Sequence, residues 1–299
     1  MSAAGPLTVV VRRGDVVEAV HRVHAVAVQD GAVVAQAGDA QLVTYLRSSA
    51  KPFQALALAR AREDLDERDL AIASASHLAL DDQLAAVVGL LEKAPAQEDE
   101  LECGPEGEPP SRLKHNCSGK HAGMLALCRA HGWESAGYRL VGHPVQEGCR
   151  AEVARFADAG ADEVPVAVDG CGVLTFALPL ERMALMFSKL EGDDAGARVA
   201  AAMRRHPELI RGPGATDTEL MRALPGWTAK GGAEGLFCAS GPGGIGVAVK
   251  VEDGAYRAVQ PALSALFPRL GHELPTFAVV PLANSRGEGV GRIELDAGV

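Results

Sequence analysis

Ser48-Ser49-Ala50-Lys51 is an S-x-x-K tetrapeptide that follows the extended stretch Leu42–Arg47. Residues three apart share one face of a helix, so the Ser48 hydroxyl and the Lys51 amine can meet, while Ser49 faces elsewhere. Pro52 is tolerated only in a first helical turn, which predicts a helix beginning at Ser48 or Ser49. A lysine buried there loses its proton readily, takes one from the hydroxyl and makes serine a nucleophile. The competing reading is a capping serine followed by a solvated lysine.

Other segments hold the same kind of chemistry. Ser74-Ala75-Ser76-His77 ends an apolar run, and local grounds favour Ser76 as the cap of the helix that follows through Asp81 and Asp82. In His115-Asn116-Cys117-Ser118-Gly119-Lys120-His121, Ser118 reads as an N-cap. Cys117 then sits at a helix N-terminus that favours a thiolate, with Lys120 in reach. Asp169-Gly170-Cys171-Gly172 marks a tight backbone approach. Spacing alone does not join Cys117, Lys120 and Cys171 into a metal site, because a lysine ligand must be neutral and two buried cysteines are the ordinary case. Lys230-Gly231-Gly232-Ala233-Glu234-Gly235 resembles the K-x-G element of the active-serine penicillin-binding and β-lactamase group. Lys250 alternates with valines and reads as an outward strand residue.

The elements that must position these groups divide the chain. Strand patterns cover Leu7–Val11, Val16–Val28 and Ala32–Ala35, with a hairpin at Asp30-Gly31. They return at Gly235–Ala239, Ile245–Val251 and Gly291–Leu295, with a second hairpin signal at Asp253-Gly254. Helical spacing covers Gln54–Glu63, Leu80–Lys93, Lys120–His131, Glu147–Ala159 and Ala195–His206, with Gly132 and Gly160 as terminating glycines. Glu98–Pro110 reads as an acidic surface loop. The expectation is one α+β domain over 1–299: an antiparallel sheet from about 7–40 and 228–296, with a mainly helical middle from about 48 to 225.

Bulk properties narrow the function. The net charge of −10 disfavours nucleic acid and anionic membranes as partners. No apolar run approaches the roughly 18 residues that span a bilayer. Met1–Pro6 has no basic region followed by an apolar one, so no signal peptide and a cytoplasmic location are expected. Six cysteines without a C-x-x-C pair exclude a zinc ribbon and read mostly as small buried hydrophobes.

Arg47–Pro52, Ser76-His77, His115–His121, His143-Pro144-Val145-Gln146, Asp169–Gly172 and Lys230–Gly235 follow one another in an order that resembles the rhizobial-type (class 3) L-asparaginases, from about Val10 to Gly254. The resemblance implies a serine β-lactamase and glutaminase-like fold, with an antiparallel sheet, flanking helices and a helical subdomain. It implies hydrolysis of L-asparagine to L-aspartate and ammonia, two Ser–Lys pairs and a homodimer. It also implies a zinc ion held by Cys117, Lys120, Cys171 and water. Ser48 with Lys51 matches the first pair. Ser76 with Lys230 matches the second, and Lys250 competes for that place. Arg47, His77, Asn116, Asp169, Gly232 and Glu234 become candidates for substrate binding. The chain departs from the family at Ser76-His77-Leu78-Ala79, where a glycine or small polar residue is expected after the histidine. A glutaminase, a β-lactam-recognising serine hydrolase and a non-catalytic amino-acid sensor are the alternatives.

Overall fold

A computed structural model describes residues 5–296. The two chain ends build one antiparallel sheet, as their alternating patterns predict. Its strands are β1 (Leu7–Arg13), β2 (Val16–Gln29) and β3 (Ala32–Ala37) from the first end. β7 (Thr228–Gly231), β8 (Leu236–Gly241), β9 (Ile245–Val251), β10 (Val279–Ala283) and β11 (Gly289–Leu295) come from the second. The order is β10-β11-β1-β2-β9-β8-β7, with β3 also pairing β2. Chain start meets chain end directly, Val9 opposite Leu295 and Val26 opposite Ala248. β8 and β9 are buried along their whole lengths, so apolar packing covers both of their faces. Helices Leu180–Lys189 and Val259–Leu266 both pack on β2 and β9. No helix among the described residues is long and apolar enough to cross a membrane.

A second, three-stranded sheet was not expected. β4 (Val43–Tyr45), β5 (Val166–Val168) and β6 (Leu174–Pro179) pair in the order β4-β6-β5. β4 lies in the stretch read as extended; β5 and β6 are too short to show a period. Three local expectations need correction. Asp253-Gly254 opens no hairpin, because the chain continues into the helical segments Tyr256–Ala258 and Val259–Leu266. Gly160 does not end the helix Pro144–Phe156; Asp158 takes the left-handed conformation there, at φ +50°. Helix Ser118–His131 begins one residue earlier than Ser118 as a cap would place it, with Cys117 in the cap position and Gly132 closing it at φ +66°.

That helix carries the cysteine–lysine motif and lies unusually close to helix Glu67–Ala73. A Cβ on Gly119 would stand 2.2 Å from the Ile72 carbonyl oxygen, so only glycine permits the approach. Gly119→Ala is expected to destabilise the protein by about 1–3 kcal/mol in chemical denaturation, because one helix must move. Gly89 is the control: a Cβ there meets nothing within 4 Å, and Gly89→Ala should stabilise by about 0.5–1 kcal/mol.

Candidate active site

The turn bearing Ser48 is pinned before it enters its helix. Leu46 N–H donates to the Phe176 carbonyl at 2.8 Å, and Arg47 N–H to Thr175 Oγ1 at 3.0 Å, so β6 fixes the exit from β4. Arg47 sits at φ +47°, a left-handed conformation that costs a side-chain-bearing residue about 1–2 kcal/mol. A 3₁₀ turn over Arg47–Ala50 then runs into the short helix Lys51–Gln54, with Pro52 in its first turn as expected. Ser48 emerges half-buried in a cleft of about 220 Å³, facing Asn116, Cys117, Asp169, Cys171 and Ala233. Ser49 points away, fully buried, and donates to the Lys230 carbonyl at 2.9 Å.

Lys51 is 1% exposed. Its Nζ donates to the Ala75 carbonyl at 2.5 Å and to Ser76 Oγ at 2.9 Å. Ser76 therefore does not cap the following helix. Gln83 does that work, its Oε1 accepting from the N–H groups of Leu78 and Leu80. Burial lowers the pKa of Lys51. The Cys117 thiol opposes that shift and the Lys120 charge adds to it.

Lys230 is fully buried on β7, and its Nζ donates to Gly231 O at 2.8 Å and to Asp217 Oδ1 at 3.4 Å. Burial pulls its pKa to about 8 against the pull of Asp217, and the Lys51 charge adds to the depression. The two lysines therefore sense each other. Among the described residues no hydrogen bond joins Ser76 to Lys230, or Ser48 to Lys51; the bonded pairs are Lys51–Ser76 and Lys230–Asp217. Asp217 also accepts from Gly231 N–H at 2.5 Å and from Tyr256 Oη at 3.3 Å. Nothing in its spacing ties it to Lys230, so sequence reasoning passed over it.

The remaining candidates divide. Arg47 Nε and Asp169 Oδ1 form a 2.6 Å ion pair on the cleft wall, and Asn116 lies beside them. Glu106 and His115 also line the cleft, 3.6 Å apart. His115 opens the His115–His121 motif, but Glu106 is hidden in the acidic loop. His77 lies beneath the wall: Nδ1 accepts from Ala79 N–H, and Nε2 bonds Ser118 Oγ at 2.8 Å. Burial and the Lys51 charge lower its pKa to about 4, so it stays neutral. Gly232 allows a close approach; a Cβ would stand 2.9 Å from Leu46 O and 3.1 Å from Ser49 Oγ. Its N–H is spent on Leu236 O, and that of Gly231 on Asp217. Glu234 does not face the cleft at all. With Lys250 it lines a separate depression.

Cys117, Lys120 and Cys171 meet under the cleft floor, all buried, with Lys120 Nζ 3.0 Å from Cys171 Sγ. A hydrogen bond from Cys171 holds the Cys117 thiol well below its usual pKa, and the same bond, with burial, pushes Cys171 up. Burial works against the charge of Lys120, but the two sulfurs outweigh it and raise its pKa. Among the described residues no three His, Cys, Asp or Glu side chains converge, so a metal here needs Lys120 as its third donor. Two thiols and an amine are donor types that zinc accepts. The other thiols are inert: burial pushes Cys103, Cys149 and Cys238 to about 12 and Cys128 to about 11.

The family model for L-asparaginase II matches residues 9–295. The chain belongs to the L-asparaginase II family. Among solved structures, the native form of Mglu is similar at 14% identity and a TM-score of 0.52, over 82% of this chain and 64% of Mglu. The chain thus spans just under two thirds of that protein. EstCE1, described as a hydrolase with promiscuous acyltransferase activity, is similar at 12% identity and a TM-score of 0.43, over 83% of this chain and 92% of EstCE1. A β-lactamase from Mycobacterium bovis is similar at 14% identity and a TM-score of 0.36, over 77% of this chain and 86% of that one. The likeness to Mglu is one of fold alone: an antiparallel sheet with helices. No curated protein matches the chain significantly.

Proposed function

We propose that this member of the L-asparaginase II family is an amidohydrolase that converts L-asparagine to L-aspartate and ammonia through an acyl-enzyme on Ser48. The carrying observation is a half-buried serine in a polar cleft, above a buried lysine whose pKa burial lowers. Ser48 Oγ attacks the side-chain amide carbon, and neutral Lys51 receives the hydroxyl proton. Lys51 and Ser76, already hydrogen-bonded, pass that proton to the leaving nitrogen, and ammonia departs. Water then cleaves the β-aspartyl ester and restores Ser48. Arg47 and Asp169 offer opposite charges for the α-carboxylate and α-ammonium of the substrate. The N–H groups of Ser48 and Ala233 have no acceptor among the described residues and suit the oxyanion, whereas those of Gly231 and Gly232 are taken. Lys230, held by Asp217, lies within electrostatic reach of Lys51, whose charge helps to lower the Lys230 pKa.

The deciding measurement is ammonia release from asparagine and glutamine side by side. Asparagine is expected to be the better substrate. Preference for glutamine would move the assignment to a glutaminase, and turnover of a chromogenic β-lactam instead would move it to that class.

Zinc, where bound, would be held by Cys117, Lys120 and Cys171, and would supply a fixed positive charge that orients the polar end of the substrate. Protein purified without chelators should carry about one zinc per chain by elemental analysis, and Cys171→Ser should lose it. The variant should raise KM more than it lowers kcat. Zinc-free protein with full activity would remove the metal and leave the serine and lysines standing.

A further inference from the structure

β4 and β6 pair antiparallel, with Val43 opposite Pro179 and Tyr45 opposite Ala177. Continued by two residues, that register sets Leu46 against Phe176 and Arg47 against Thr175. Leu46 keeps to it, its N–H reaching the Phe176 carbonyl. At Arg47 the ladder ends, because a backbone at φ +47° turns the chain out of the strand direction. The Thr175 hydroxyl then meets the Arg47 N–H in place of a strand carbonyl. A side-chain oxygen reaches beyond the backbone of its own strand, so it satisfies an amide that has already left the sheet. Thr175 is 3% exposed, and no other acceptor among the described residues takes this N–H.

The hydroxyl is itself firmly seated. The Thr175 backbone lies opposite Ala167 of β5, and the preceding residue, Leu174, donates its N–H to Gln146 Oε1 at 3.2 Å. Gln146 is fully buried, and its Nε2 donates to the Tyr138 carbonyl at 2.9 Å. It closes the His143–Gln146 motif, none of whose four residues lines the cleft. Hydrogen bonds thus tie helix Pro144–Phe156 to the start of β6, and β6 to the residue before Ser48.

We propose that Thr175 is a positioning residue: by holding the Arg47 amide it keeps that residue left-handed and so aims Ser48 into the cleft. A strained backbone persists only where its surroundings over-determine it. Without the hydroxyl the Arg47 N–H loses its partner, and the turn relaxes towards ordinary backbone. Ser48, one residue on, swings with it. The ion pair with Asp169 keeps the Arg47 side chain in place, so alignment of the nucleophile suffers more than substrate binding. The catalytic consequence rests on the Ser48 reading above; the shape of the turn does not. A threonine also suits any strand by its branched shape, but valine would serve that role equally well.

The test compares Thr175→Val, which keeps the branched shape without the hydroxyl, with Thr175→Ser, which keeps the hydroxyl without the methyl. Thermal unfolding establishes that each is folded, and Thr175→Ala, which also lacks the hydroxyl, should repeat the valine result. Valine should lower kcat for asparagine about 10²-fold, the cost of a nucleophile about 1 Å out of place, with KM within about threefold of wild type. Serine should keep kcat within about threefold. In ¹³C,¹⁵N-labelled protein without substrate, the Arg47 Cα and Cβ signals, which report φ, should leave their left-handed values in the valine variant and keep them in the serine variant. Unmoved signals, a valine variant with wild-type kcat, or a serine variant as slow as the valine one would overturn the proposal. Those signals are read without turnover. A wild type that hydrolyses neither asparagine nor glutamine would therefore refute the amidohydrolase reading, while the Arg47 signals still decide what Thr175 does.

Discussion

Ser48→Ala is expected to lower asparagine turnover by about 10⁴-fold or more, since removing a covalent nucleophile disables the other members of its machinery with it. The protein should remain folded, because Ser48 is only half-buried and its side chain makes no hydrogen bond among the described residues. Mass spectrometry of a quenched wild-type reaction should locate a β-aspartyl adduct on the peptide containing Ser48. The neighbouring hydroxyl makes the control sharp. Ser49 is fully buried and donates to the Lys230 carbonyl, so Ser49→Ala removes a tie between the serine turn and β7. That loss costs about 1 kcal/mol of stability, and the adduct should survive it. An adduct on Ser49 or Ser76 would reverse the assignment.

The sheet was readable because apolar runs at both chain ends require partners. The small sheet of β4, β5 and β6 was not, since three to six residues carry no measurable period. Pro52 set the start of the lysine helix to within a few residues. The cleft members Arg47, Ser48, Asn116, Cys117, Asp169 and Cys171 come together from three distant segments, each flagged by glycines or by dense polar chemistry. Pairing within the site was harder. Which serine a lysine touches depends on how helix Lys51–Gln54 sits against the segment that follows Glu67–Ala73, and local spacing contains no record of that. Asp217 and Glu106 were invisible for a related reason: a carboxylate on an ordinary helix or an acidic loop looks solvated until the fold brings a lysine or histidine to it. Glu234 shows the opposite error. Its neighbours in sequence border the cleft, but its own side chain turns to the other side.

Lys51→Met should reduce turnover by about 10³-fold, because methionine fills the volume without accepting a proton from Ser48. Its effect on stability should run the other way. Burial holds the folded-state pKa of Lys51 below the ordinary lysine value of 10.5, so the unfolded chain binds more protons in the window between the two values. The stability that comes from keeping the amine neutral is fully present above 10.5 and is lost as pH falls through the folded value. Near neutrality the wild type bears the cost of this buried amine, and methionine does not. Thermal unfolding at pH 7 should therefore find Lys51→Met at least as stable as the wild type. The wild-type kcat/KM should rise with pH as Lys51 loses its proton, and the variant's residual rate should lack that limb. Lys51→Arg completes the argument, since guanidinium stays charged throughout and cannot act as a base. It should be as inactive as the methionine variant, and also less stable, with a larger charged group in the same buried space. An active Lys51→Arg, or an unchanged pH limb in Lys51→Met, would transfer the role of base to Lys230, whose pKa of about 8 makes it the next candidate.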